Sequence, residues 1–147
     1  MGVALLEGDK LVYHGVETIK KGKTSHETLR NGRKIIRRLI SDYQPDTLAV
    51  EKTFYANNRR VAVQNVLAVV IMAIGRNKGL EVVCYEPSTI KKFITGNGRA
   101  SKMEVARVVN AQYPELKVYM TQDRKWKEEY HQNMFDAVAL GIMAATR

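Results

Sequence analysis

At 147 residues and 16.7 kDa the chain fits one compact domain and leaves no length for a second of ordinary size. A content of 45% apolar and 27% charged residues excludes disordered and fibrous classes. Setting 24 basic against 15 acidic side chains leaves +9, which points to a polyanionic partner such as nucleic acid, with a merely basic protein as the alternative. Cys84 is the only cysteine, so an intramolecular disulfide and a Cys-based zinc cluster are out, and a reducing, cytoplasmic setting is expected. The longest apolar stretch, Val66 to Ile74, is roughly half of a membrane span, and Met1 is not followed by a signal-like segment, so no membrane role is expected.

In chain order, Val3 to Leu6 and Leu11 to Ile19 read as strands joined at Gly8-Asp9-Lys10, an opening hairpin. Thr24 and Glu27 have capping-box spacing, and Leu29, Ile36, Leu39, Ile40 and Tyr43 recur at helical period until Pro45. Thr47 to Val50 is a short strand ending in Glu51. Asn57 or Asn58 can cap a long helix from about Arg59 to Lys78, which Gly79 stops. Leu80 to Tyr85 returns as a strand and Ser88 to Ile94 as a short helix. After the turn Gly96-Asn97-Gly98, Ser101 and Glu104 form a second capping box for a helix to about Gln112. Lys117 to Tyr130 is charged and weakly periodic, and the last helix runs from about His131 to Ala145. This is an α/β order: strand-helix-strand units imply parallel neighbours, the hairpin antiparallel ones, and together a mixed β-sheet with helices on its faces.

Two carboxylates stand in apolar settings. Glu51 follows Leu48-Ala49-Val50 at the carboxyl end of a strand, where open α/β sheets build their sites; a solvent-exposed Glu paired with Lys52 or an Arg is the alternative. Asp136 interrupts Met134-Phe135 and Ala137-Val138-Ala139-Leu140-Gly141-Ile142-Met143, a helix apolar nearly all round, where an unpaired carboxylate is costly. Asn133 precedes it by three residues on the same helical face, and two oxygen donors so spaced suit Mg²⁺ or Mn²⁺. A salt bridge or a helix-start role is the alternative for Asp136. His131 and Gln132 are next candidates, His131 as a cap or a solvent-facing side chain.

The segments Gln44 to Phe54, Tyr85-Glu86-Pro87-Ser88 with Ile90-Lys91-Lys92, Gly96 to Lys102, and Asn133 to Leu140 resemble, in this order and spacing, the RuvC family of Holliday-junction resolvases within the RNase H-like nuclease superfamily. The resemblance covers nearly the whole chain and implies a single RNase H-like domain over residues 1–147. It also implies a homodimer that cuts four-way junction DNA in recombination and repair by metal-dependent phosphodiester hydrolysis, with two Mg²⁺ ions that Mn²⁺ can replace. A branch-migration helicase is a further expected partner. Glu51, Asn133 and Asp136 match metal-binding positions, with Asn133 where family members usually carry Asp or His. Lys91 and Lys102 match basic residues beside the active site and Phe54 an aromatic wedge. Arg59, Arg60, Lys92 and Arg99 are further DNA-binding candidates, and Lys20, Lys21, Lys23, Lys125 and Lys127 are available for backbone contact. The long helix Val61 to Ile74 is an interface candidate that could equally be core. The family pattern opens with a strand bearing a metal-bridging Asp. Here Gly2 to Leu6 matches the following strand, and neither Glu7 nor Asp9 can replace that Asp. N-terminal truncation is therefore expected, with a noncatalytic branched-DNA-binding relative or a nuclease of structured RNA as alternatives.

Overall fold

A computed structural model describes residues 1–52, 59–120 and 125–147, the side chains of 59–62 and 125–130 excepted. Phe54, Asn57 and Asn58, and with them the wedge and cap assignments, lie outside the described residues. The backbone gathers into two compact units, residues 1–17 with 87–147, and residues 18–86.

The first unit opens with β1 (Gly2–Glu7) and β2 (Lys10–Val16), an antiparallel hairpin closed by Gly8-Asp9. Gly8 takes a φ of 60°, a left-handed conformation that costs glycine little. The register shifts between Leu5, opposite Tyr13, and Leu6, opposite Leu11, so Val12 is the extra residue of a bulge. β2 ends at Val16 rather than Ile19, because the ladder runs out where β1 begins: the Glu17 amide donates to the Met1 carbonyl at 2.8 Å. The unit continues with α3 (Pro87–Thr95), α4 (Lys102–Gln112), a 3₁₀ turn (Pro114–Tyr119) and α5 (Lys125–Thr146), numbered with the second unit's α1 and α2 in chain order. α5 packs across β1, β2, α3 and α4. Its Met134, Phe135, Val138 and Ala139 form the core with Val105 and Val109 of α4 and Leu116 of the turn. Gly141 lets β1 come close, since a Cβ there would run into a methyl of Leu6.

In the second unit α1 (Ser25–Tyr43) starts as its capping box foretells: Thr24 Oγ1 accepts from the Glu27 amide at 3.2 Å. The Glu27 carboxylate reaches back to the Lys23 amide at 3.0 Å, one residue beyond the usual partner. Helix α1 stops because Gln44 turns left-handed, φ 46°, ahead of Pro45. Parallel β3 (Thr47–Glu51) and β4 (Glu81–Tyr85) pair in register, Glu51 opposite Tyr85, and α2 (Arg59–Asn77) packs on both strands and on α1. Ile71 and Ile74 of α2 are buried, whereas Val66 and Val69 are 48% and 62% exposed. One face of the helix is therefore core and another is open.

The α/β class and the order of elements agree with the sequence reading. Among the described residues the strands pair as two two-stranded ladders, one antiparallel and one parallel, the two kinds of neighbour the sequence implies.

Candidate metal and nucleic-acid site

Asp136 lies on the helix that supplies most of the first unit's core. Met134, Phe135, Val138 and Ala139 point inward, and Asp136 stands at the boundary of that face with its side chain 31% exposed. Burial pushes its carboxyl above the ordinary carboxylate range, and the nearby ammonium groups of Lys102 and, more weakly, Lys91 pull the other way. Lys102 Nζ is 3.9 Å from Asp136 Oδ2, a loose ion pair. Asn133, three residues earlier, is exposed, and its carbonyl is covered by the start of β1: a Cβ on Gly2 would collide with that oxygen.

Lys91 and Lys102 are brought to this carboxylate by a loop whose polar groups are largely satisfied. Thr95 Oγ1 donates to the Lys91 carbonyl at 2.8 Å and accepts the Asn97 amide at 3.1 Å, while Gly96, at φ 82°, turns the chain. Asn97 Oδ1 accepts the Arg99 amide and its carbonyl the Ala100 amide, both at 3.0 Å. Ser101 Oγ then accepts the Glu104 amide at 3.1 Å, so α4 begins with Lys102. The capping chemistry visible in the sequence thus sets where the second lysine stands. Lys92 and Arg99 are exposed on the same stretch.

In the second unit Glu51 ends β3 half-buried, and the Lys52 amide carries the ladder one step further to the Tyr85 carbonyl at 2.8 Å. The Lys52 ammonium turns to Glu86 Oε1 at 3.4 Å. Arg59 and Arg60 open α2, but their side chains, like those of Lys125 and Lys127, lie outside the described residues.

His131 departs from expectation. α5 begins at Lys125, so His131 is inside the helix rather than capping it, and its ring lies 4.8 Å from that of Tyr119, which in turn meets His14 at 5.7 Å. Sequence periodicity carried no signal for this cluster, because its three rings come from three separate elements. A cavity of about 100 Å³ lies elsewhere in the unit, against Asp9, Tyr113 and Thr146, away from Asp136.

Among the described residues, no group of three His, Cys, Asp or Glu side chains is placed to hold a metal ion. The donors at Asp136 and Asn133 are nonetheless hard oxygens, and a carboxylate held out of water favours a cation beside it. Their chemistry fits a hard divalent cation.

The family model described as crossover junction endodeoxyribonuclease RuvC matches residues 1–142. Among curated relatives of that name, the Christiangramia forsetii protein is 40% identical over 79 residues, 50% of this chain and 39% of the relative. The Synechococcus protein is 35% identical over 96 residues, 65% of this chain and 62% of the relative. The matched stretches cover 39%, 41% and 44% of the first three such relatives, so the chain spans less than half of their length. Among solved structures, Thermus thermophilus RuvC superposes with a TM-score of 0.65 at 19% identity, covering 98% of this chain and 89% of that one. The same protein in complex with Holliday junction substrate gives a TM-score of 0.69 at 18% identity, covering 98% of this chain and 84% of that one. At such identities the likeness concerns the fold alone. The chain belongs to the RuvC family.

Proposed function

We propose that this chain is a metal-dependent crossover junction endodeoxyribonuclease, whose two compact units are halves of one nuclease domain and whose substrate is the four-way DNA junction. The observation that carries this reading is the half-buried Asp136 carboxylate with Lys91 and Lys102 beside it, at the positions where the family pattern places an acidic ligand and active-site bases. Glu51, Asn133 and Asp136 would hold Mg²⁺ or Mn²⁺, and the ion would supply charge stabilisation and an activated water for attack on phosphorus. The chain's own groups then bind and orient. Lys102 and Lys91 neutralise the scissile phosphate, and the hydrogen bonds at Asn97 and Ser101 fix the backbone that leads into α4 and carries Lys102. Asn133 gives an uncharged ligand where relatives carry a charge or an imidazole, so weaker metal binding is proposed. Phe54 is a candidate for stacking on an unpaired base. Arg59, Arg60, Lys92 and Arg99 are candidates for phosphate contact. The exposed Val66 and Val69 of α2 support a homodimer through that helix. A branch-migration helicase and a cytoplasmic setting complete the proposal; among the described residues no helix is long and apolar enough to cross a membrane.

The test uses synthetic four-way junctions with Mg²⁺ or Mn²⁺. Glu51→Gln and Asp136→Asn each abolish cutting and leave junction binding nearly intact, and both weaken Mn²⁺ binding measured calorimetrically without DNA. Cutting retained by either variant would overturn the site assignment. Junction binding without cutting under either metal would favour a noncatalytic branched-DNA binder, and preferential cutting of hairpin RNA a nuclease of structured RNA.

A further inference from the structure

Much of the chain's net charge is concentrated in one segment, which contains Lys20, Lys21 and Lys23 and continues along α1. Between Thr18 and Tyr43 stand eight basic and two acidic side chains, a net +6 out of the whole chain's +9 within 26 of its 147 residues. On α1 the apolar face is fixed by packing: Ile36 is buried, and Gly32 stands so close to α2 that an added Cβ would lie 2.8 Å from Leu67 Cδ1. At 3.6 residues per turn, Arg30, Lys34, Arg37 and Arg38 fall about 100° to 200° round the helix from Ile36, and all four are exposed. Arg33 flanks them. The stripe repeats like charge at i+3 and i+4, which is unfavourable for an isolated helix. Its only acids stand at the ends, Asp42 and Glu27, the latter already bonded to the Lys23 amide.

The loop before α1 is fastened to the helix. Asn31 Nδ2 donates to the Lys20 carbonyl at 2.7 Å, the Gly22 amide to Thr28 Oγ1 at 3.0 Å, and the Lys23 amide to Glu27 Oε2 at 3.0 Å. The exposed Lys20, Lys21 and Lys23 therefore extend the stripe rather than swing free.

We propose that the outer face of α1, with the Lys20–Lys23 loop, is a sequence-independent binding surface for the phosphate backbone of duplex DNA, additional to the residues assigned to the junction site. Arg30 to Arg38 span about 12 Å, against which a duplex presents about seven phosphate charges. The stripe holds no aromatic ring, so it lacks the stacking platform of a single-strand site. Its apolar face is turned into the protein, so it lacks the exposed apolar side of a helix that lies in a membrane surface. Only the identity of the polyanion as DNA rests on the reading of the site given above.

The experiment is a salt titration of binding to a linear DNA duplex by the full chain and by the triple variant Arg30→Gln, Lys34→Gln, Arg37→Gln, all exposed positions where Gln keeps helix propensity. Losing three phosphate contacts should make the slope of log K against log salt shallower by about 2.7 and weaken binding by on the order of a hundredfold near 0.1 M salt. A control triple, Lys10→Gln, Arg107→Gln, Lys117→Gln, removes the same charge from exposed positions in the other unit and leaves the slope unchanged. The charge-preserving triple Arg30→Lys, Lys34→Arg, Arg37→Lys keeps the wild-type slope. Equal slope changes in both neutralising triples, no change in either, or tighter α1-dependent binding to phosphatidylserine vesicles than to duplex would overturn the proposal. Duplex binding through α1 without junction cutting would uphold this surface and count against the resolvase reading; junction cutting with an unaltered slope would do the reverse.

Discussion

Removing either partner of the Lys102–Asp136 pair should have opposite consequences for stability in the absence of divalent ions. At 3.9 Å the pair is worth about 1 kcal/mol at the dielectric of water and about 4 kcal/mol at an effective dielectric of 20. Lys102 is 57% exposed, so solvent screening brings the net value to roughly 0.5–1 kcal/mol. Against this stands the burial of Asp136, which outweighs both lysines and leaves its folded pKa above the ordinary value. The ionised carboxylate is thus a net cost to the fold. In EDTA at neutral pH, Asp136→Asn should be neutral or stabilising by up to about 1 kcal/mol, whereas Lys102→Met should cost about 0.5–1 kcal/mol by leaving the carboxylate without its nearest cation. The sign with pH follows from proton binding: between the unfolded and folded pKa of Asp136 the native state holds more protons than the unfolded one, so wild-type stability falls as pH rises through that window. The advantage of Asp136→Asn therefore vanishes below the ordinary carboxylate pKa, grows as pH rises, and is flat above the folded value. Urea denaturation in EDTA across the acid-to-neutral range reads this directly. A loss of more than about 1 kcal/mol in Asp136→Asn, or an advantage independent of pH, would refute the argument.

With millimolar Mg²⁺ or Mn²⁺ the order inverts: wild type gains thermal stability by mass action and Asp136→Asn does not, as differential scanning fluorimetry would show. Ser101→Ala removes the cap that starts α4 at Lys102 and should cost about 1 kcal/mol, with weaker junction binding at unchanged duplex salt slope. Leu116→Ala, at the fully buried position of the 3₁₀ turn, should cost about 2–5 kcal/mol in urea denaturation. Tyr113→Phe removes the 2.6 Å bond to the Asp9 carbonyl and should cost about 1 kcal/mol near neutrality. Burial raises the Tyr113 pKa, so wild-type stability falls as pH climbs from the ordinary tyrosine value through the folded one; the variant lacks that alkaline limb.

Local signals settled much of this protein. The capping boxes at Thr24 and Ser101, the short turn read at Gly8-Asp9-Lys10, and the apolar period of α1 are short-range physics, and each starts or stops an element within a residue of where the sequence reading put it. The anomaly of Asp136 in an apolar helix was also legible, because a carboxylate among Phe, Val and Leu is costly whatever the fold. What tertiary structure decided is which groups meet. Lys91 and Lys102 arrive beside Asp136 from two other helices, and His14, Tyr119 and His131 cluster from three elements, neither of which any periodicity contains. α2 is apolar all round, so pattern alone could not divide its buried Ile71 and Ile74 from its open Val66 and Val69; only packing on β3, β4 and α1 does. The antiparallel hairpin and the parallel β3–β4 pair were legible from connection type, but the bulge at Val12 was not, since alternation reports which face is buried and not where the register shifts. The charge stripe of α1 lies between these cases. Its residues are countable in the sequence, but the burial of Ile36 and Gly32 decides that they form one outward surface.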